Sequence, residues 1–299
     1  MKNSLSRYFE LLSLVPQFMD YAISPRDKKQ SYYDSSRRPL EAYDYFCDLR
    51  DQLIVLGITV EDISIDINDF TRWMQEYHEI TDNYRTLGSV CIEKCLEHYL
   101  SYKYLDLTTS DVFIDVAAAG SPYVDILTRR SGIESYRLDL SYPEGIHEKN
   151  IGADAGNTKL PADFASAMAL HCAFECFMGD DDSHFVREAS RILNHRGRFV
   201  IVPLYLDAVY FIATSPYCNQ KNVILDKEAI KVWRDDNYRV PFSRHYSPKA
   251  FLERIYSVLP DDMEGKIYFI KNLPDVMMHF SKQRVYCYFM FYCSKKHAS

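Results

Sequence analysis

The sequence predicts an α/β protein: a doubly wound, mostly parallel seven-stranded sheet with an N-terminal helical cap. Three observations carry that expectation. From Ser110 onward, short apolar runs alternate with helical faces, as βαβ units do. The first hundred residues carry helical stripes and irregular stretches instead. Glycine is scarce, ten in 299 residues against 24 tyrosines, so each glycine marks a place where a turn or a close approach is expected.

The elements follow in order. Phe70, Trp73, Met74 and Tyr77 recur at i, i+3, i+4, i+7, the stripe of an amphipathic helix. Cys91, Ile92, Cys95, Leu96 and Tyr99 give a second stripe on a helix over about 84–104. Residues 24–39, polar and charged with proline near both ends, read as a loop. Strands are expected at 112–117, 136–140, 165–171 and 198–206. Two more, 266–273 and 284–293, close the sheet. Between them, 122–130 is helical. So is a face of Phe185, Val186, Ala189, Ile192 and Leu193, which Asn194 and Gly197 stop. Ser247 and Pro248 supply the N-cap and first turn of a helix whose buried face is Phe251, Leu252, Ile255 and Tyr256. Residues 207–246 have no clean period and read as an insertion. The expected division is a helical cap over 1–104 and a sheet domain over 105–299.

Charge and cysteine usage exclude several functions. Lys and Arg number 35 against 42 Asp and Glu, a formal net charge of −7, so no nucleic-acid partner is expected. Lys2, Arg7 and Glu10 interrupt the N-terminal apolar pattern, so no secretory signal is expected. Residues 199–213 are too few to span a bilayer and include Pro203 and Asp207, so no membrane partner is expected. Eight cysteines then read as reduced thiols in a cytoplasmic protein. The spacing of Cys91/Cys95 and of Cys172/Cys176 invites a metal, but both pairs lie in apolar runs; they read as buried thiols, and no metal is expected. Asp180-Asp181-Asp182 lacks the spaced ligands of a calcium loop and reads as a solvated turn.

Three segments carry candidate chemistry. Asp115 lies within a strand, and Ala117-Ala118-Ala119-Gly120-Ser121-Pro122 forms the turn into a helix. Small side chains there let a ligand approach the backbone, or simply pack the turn. Neither GxGxxG nor GK[ST] is present, which weighs against a nicotinamide-dependent oxidoreductase and a P-loop. Asp139, about twenty residues on, suits ribose hydroxyls, or else caps a helix as Ser141 could also do. Asp154-Ala155, flanked by Gly152, could read an amino group on a planar ring, or be an ordinary turn.

Together these segments resemble the class I S-adenosylmethionine-dependent methyltransferases, from about Glu93 to Leu206 with a looser fit to the closing strands. The resemblance implies a Rossmann-like fold ending in an antiparallel strand pair, with S-adenosylmethionine as cofactor. Asp115-Val-Ala-Ala-Ala-Gly-Ser121 stands for the family's acidic glycine loop beneath the methionine moiety. Ala117, Ala119 and Ser121 occupy places where glycine is usual. Asp139, with Leu140 after it, stands for the ribose acid, and Asp154-Ala155 for the adenine contact.

His171 and Glu175 follow the next strand. On a helix their spacing would share one face. His171 could remove a proton from a hydroxyl acceptor, or pack on the cofactor and make a structural hydrogen bond. Tyr205, Arg234, Arg244 and His245 are candidate substrate contacts, near Asp235 and Asp236, with Tyr210, Tyr217 and Tyr238 as stacking partners. The arginines suit a carboxylate or phosphate, or an ion-pair network holding a long loop. The expected activity is methyl transfer to a small molecule: a sugar, a nucleotide-sugar or a secondary metabolite. The alternative is a non-catalytic binding or scaffold protein on the same fold.

Overall fold

The computed structural model describes residues 12–30, 42–234, 240–281 and 283–296. Its helices in chain order are α1 (Val15–Ile23), α2 (Tyr43–Val55), α3 (Ile67–Glu76), α4 (His78–Tyr84), α5 (Cys91–Tyr104), α6 (Tyr123–Ser131), α7 (Asp181–Ile192), α8 (Pro248–Arg254) and α9 (Leu273–His279). Its strands are β1 (Lys29–Gln30), β2 (Val60–Ile63), β3 (Val112–Val116), β4 (Glu134–His147), β5 (Asn150–Gly152), β6 (Ala165–His171), β7 (Leu193–Val202), β8 (Phe211–Thr214), β9 (Ile230–Arg234), β10 (Ser243–His245), β11 (Met263–Ile270) and β12 (Phe289–Lys295).

The main sheet has eight strands in the order β2-β11-β12-β7-β6-β3-β4-β5. β3 pairs in parallel with both β4 and β6, Asp115 lying opposite Arg137 on one side and Ala169 on the other. The chain winds outward from β3 first to one side and then to the other. The carboxyl ends of β3 and β6 are therefore a topological switch point, where such sheets open a ligand crevice. β12 runs antiparallel to β7 and β11, the antiparallel pair expected, with β2 added in parallel beyond β11. The central runs are strands because both faces are covered: Phe113, Ile114, Ala167 and Met168 are essentially inaccessible.

Several expectations need correction. The sheet has eight strands rather than seven: beyond the six expected from the apolar runs it includes β5 and, from the N-terminal part, β2, where Val60 pairs in parallel with Ile267. The N-terminal part is therefore not purely helical, and Phe46, Phe70 and Leu96 share one hydrophobic core with the sheet. The helix expected from residue 84 begins at Cys91, because Gly88 at φ +62° breaks the preceding turns. β7 starts at Leu193, where a helix end was expected. β12 starts at Phe289, five residues later than the apolar run suggested. The insertion is not a loop: β8, β9 and β10 form a second sheet, completed by β1 pairing in parallel with β9. Asp235, Asp236 and Tyr238 lie outside the described residues, as does much of 24–39.

Local capping matches the chemistry. Ser247 accepts from the Ala250 N–H at 3.2 Å and starts α8 as expected. β4 passes Asp139 and folds back on β5 as a hairpin, so Ile151 faces both Leu138 and Ile146. At Gly152 a Cβ would lie 1.9 Å from the Pro143 carbonyl oxygen, so only glycine permits that approach. No described helix is long and apolar enough to cross a membrane.

Candidate functional site

At the switch point the β3–α6 turn carries two left-handed residues, Ala117 at φ +54° and Gly120 at φ +77°. A Cβ on Gly120 would meet nothing within 4 Å, so tight packing does not explain this glycine; its backbone conformation does. Asp139 joins the turn from β4. Its Oδ2 accepts from the Ala119 N–H at 3.1 Å and its Oδ1 from the Ser141 N–H at 2.8 Å. No helix follows Asp139, which removes the capping alternative for both Asp139 and Ser141. Each carboxylate oxygen keeps a lone pair for a diol.

Two cavities border the partners of Asp139, one at Leu140 and one at Ala119. The outer one, about 480 Å³, is lined by Leu140, Tyr142, Ala153, Asp154 and Leu160. Leu140 is 77% exposed, an apolar side chain left open beside Asp154. Asp154 Oδ1 accepts from the Gly156 N–H at 2.8 Å, fixing the turn before Ala155. The inner cavity, about 280 Å³, lies against Asp115 and the whole turn from Ala117 to Pro122. Lys94, Glu97 and His98 of α5 form its opposite wall.

His171 ends β6 beside this inner cavity. Its Nδ1 lies 2.8 Å from Asp115 Oδ1 and its Nε2 2.8 Å from Ser101 Oγ. The His98 and Tyr123 rings pack against that of His171 at centroid distances of 4.2 and 5.3 Å, the latter edge-on. Both nitrogens are thus engaged, the structural hydrogen bonding weighed for this residue. The expected helix carrying His171 and Glu175 is absent: Cys172 stands at φ +51° and a single 3-10 turn follows at Phe174–Cys176. Glu175 is buried, and burial raises its carboxyl pKa. It accepts from the Cys172 thiol at 3.4 Å, and Cys172 in turn contacts the Tyr205 hydroxyl at 3.3 Å. Tyr205 therefore reaches the site, through Cys172.

Arg244 does not. Its guanidinium is fully buried and committed to Asp182 at 2.8 Å, Asp226 at 2.8 Å and the Gly179 carbonyl at 2.7 Å. The ion-pair alternative is the one observed for this arginine. The same network corrects Asp182, which is fully buried rather than in a solvated turn; Arg254 holds it at 2.8 Å and the Tyr246 hydroxyl donates to it at 2.8 Å. His245 is buried against Phe211 with rings 4.4 Å apart, and burial with nearby Arg234 lowers its pKa to about 3, leaving it neutral. Arg234 is fully buried at the end of β9.

The groups that sequence reasoning missed lie on α5. Lys94, Glu97, His98 and Ser101 fall at i, i+3, i+4, i+7, a polar stripe with the spacing of a buried face. That stripe was the available signal. Lys94 Nζ donates to both oxygens of the fully buried Glu97, at 2.7 and 3.0 Å. Burial raises the Glu97 pKa against the pull of Lys94. Burial opposes the charge on Lys94, yet Cys172 and Glu97 beside it outweigh that and hold its pKa well above the usual range. Burial, with Lys94 and His171 nearby, drives the His98 pKa far down and keeps that ring neutral. Two atoms in this wall lack a partner among the described residues, Asp115 Oδ2 and His98 Nδ1, although both residues are 1% exposed. Native proteins rarely leave buried polar atoms unsatisfied, and both of these belong to residues that line the inner cavity, where a polar ligand could meet them. Among the described residues no group of three or more His, Cys, Asp and Glu is placed to hold a metal.

No protein-family model and no curated protein sequence matches the chain. Solved structures do resemble it. The Burkholderia thailandensis 1,6-didemethyltoxoflavin-N1-methyltransferase, crystallised with 1,6-didemethyltoxoflavin and S-adenosylhomocysteine, is 11% identical over 77% of this chain and 87% of its own, with a TM-score of 0.44. The CcbJ methyltransferase of Streptomyces caelestis is 11% identical over 68% of this chain and 90% of its own, at 0.42. The YcgJ protein of Bacillus subtilis is 11% identical over 68% of this chain and 99% of its own, at 0.39. The chain's own strand order, switch point and antiparallel closing pair make it a doubly wound α/β protein.

Proposed function

We propose that the chain is an S-adenosylmethionine-dependent methyltransferase acting on a small molecule, in the class of a sugar, nucleotide-sugar or secondary metabolite. The observation that carries this is Asp139 at the switch point: it accepts from the Ala119 N–H of the turn that borders the inner cavity, and its neighbour Leu140 stands exposed in the outer one. The residues fit the cofactor. The inner cavity offers the unpartnered Asp115 Oδ2 and the turn from Ala117 through Ala118, Ala119 and Gly120 to Ser121 for a polar tail. Asp139 offers carboxylate oxygens for a diol, and Leu140 with Asp154 of the outer cavity an apolar wall and an acceptor for a purine, Ala155 following directly. When bound, the cofactor supplies an electrophilic methyl group on a sulfonium.

The chain's part is chiefly orientation, because an in-line displacement gains much of its rate from positioning. Residues 105–299 form the cofactor domain in this proposal, and α5 from the 1–104 part closes it. His171 acts as a positioning residue, holding Asp115 toward the cavity and tying β6 to α5 through Ser101. Glu175 is the second candidate for the proton: it lies buried behind Cys172 of the inner cavity, and burial raises its carboxyl pKa. Tyr205 lies beside it through Cys172, with His245 packed 5.1 Å from the Tyr205 ring and Arg234 near His245.

Calorimetric titration with S-adenosylhomocysteine tests the proposal. The wild type binds, and Asp139→Ala weakens binding by about tenfold or more. Absence of binding to the folded wild type sinks it. The engaged nitrogens of His171 favour one second reading, a binding protein that holds the cofactor without turnover. Tight binding with no methyl transfer to any small-molecule extract would support that reading.

A further inference from the structure

We propose that the Lys94–Glu97 pair on α5, together with Asp115, is a binding site for the zwitterionic end of an α-amino acid. Resting on the methyl-transfer reading, this is the end that the cofactor carries. The family resemblance implies only the β3–α6 turn for that part of the ligand, where alanine and serine stand in place of glycine.

The argument is one of charge balance. Lys94 and Glu97 form a two-point ion pair on the wall of the inner cavity, facing Asp115 and the turn. An anion alone would capture Lys94 and leave Glu97 buried and unpaired beside Asp115, an unfavourable arrangement in a desolvated site. A zwitterion exchanges partners without that penalty. Its carboxylate takes Lys94, its ammonium takes Glu97, and every charge stays paired. Asp115 Oδ2, unpartnered and 1% exposed on the same cavity, gives the ammonium a second acceptor. Neutral His98 adds no competing cation, and its Nδ1 also lacks a partner. Among the charged groups bordering this cavity, Lys94 is the cation and Glu97 and Asp115 the anions, so the wall matches an ammonium and a carboxylate side by side. The charged clamp also offsets the Cβ atoms of Ala117 and Ala119, which hold a ligand further from the backbone than glycine would.

The test compares two ligands by calorimetry on the full chain: S-adenosylhomocysteine, and 5′-methylthioadenosine, which keeps the nucleoside and thioether but lacks the amino acid. The wild type is expected to bind the former at least about tenfold more tightly. In Lys94→Met/Glu97→Met the gap is expected to shrink to within about threefold; removing both partners leaves no unpaired charge, so the fold should persist, as a thermal melt would verify. Should that variant fail to fold, Glu97→Gln, which keeps the side-chain shape, is expected to narrow the gap in the same direction. Equal affinity of the wild type for both ligands would overturn the clamp and leave the cofactor reading intact. A gap that persists unchanged in a folded variant would also overturn the clamp alone. Binding of neither ligand would overturn both.

Discussion

Among the described residues, the buried charge clusters around Arg244 and around Asp115 differ in one respect. Around Arg244 every strong group is answered. The guanidinium meets Asp182, Asp226 and a carbonyl, Arg254 takes the remaining side of Asp182, and the Tyr210 hydroxyl donates to Asp226. Around Asp115 the accounts stay open: one carboxylate oxygen and one imidazole nitrogen have no partner among the described residues, and a cavity lies beside them. A saturated cluster ties chain segments together. An unsaturated cluster of the same residue types, at the carboxyl ends of β3 and β6, is built to receive a ligand.

The contrast breaks most visibly at Arg244. Arg244→Met leaves Asp182 and Asp226 short of a cation in a dry interior, and a loss of about 3–5 kcal/mol of stability is expected. Urea denaturation measures it. A loss below about 1 kcal/mol would mean that the network is open to solvent and free to bind substrate, as the sequence alone allowed.

What the sequence made legible follows the same division. β3 and β6 were readable because a strand covered on both faces is a continuous apolar run. Ser247 was readable because N-capping is local chemistry. β2 was not, since Val60-Glu-Asp-Ile63 has a polar middle and becomes a strand only by pairing with β11, two hundred residues away. Asp139 was legible by its distance from the turn. Lys94 and Glu97 were not, because on α5 the apolar stripe claimed the buried face, while the helix is in fact buried on nearly every side. Burial of a polar stripe depends on what packs over it, and a period cannot report that. Arg244 and Asp182 failed for the same reason: a charged pair looks alike in sequence whether it is solvated or sealed.

A smaller effect sharpens the comparison through pH. Glu93, one turn before Glu97, is fully buried, and burial together with the nearby Glu97 pushes its pKa up to about 8. A carboxyl raised in the folded state binds its proton more tightly folded than unfolded. Its contribution is therefore fully present below the unfolded value of about 4.3 and is lost as pH rises through 8. Glu93→Gln keeps an acceptor for the Tyr286 N–H, which Glu93 holds at 2.8 Å, and removes the titration. The wild type is expected to lose stability between about pH 5 and 8 relative to the variant, measured as denaturation midpoints across that window. Parallel profiles for the two proteins would show that Glu93 is not sealed.

The most direct measurement is a crystal structure of the chain grown with S-adenosylhomocysteine. The account expects the ribose diol on Asp139, the purine between Leu140 and Asp154-Ala155, and the amino-acid end beside Asp115, Lys94 and Glu97. Ligand density at another place on the fold, or a saturated crystal with both cavities empty of ligand, would contradict it.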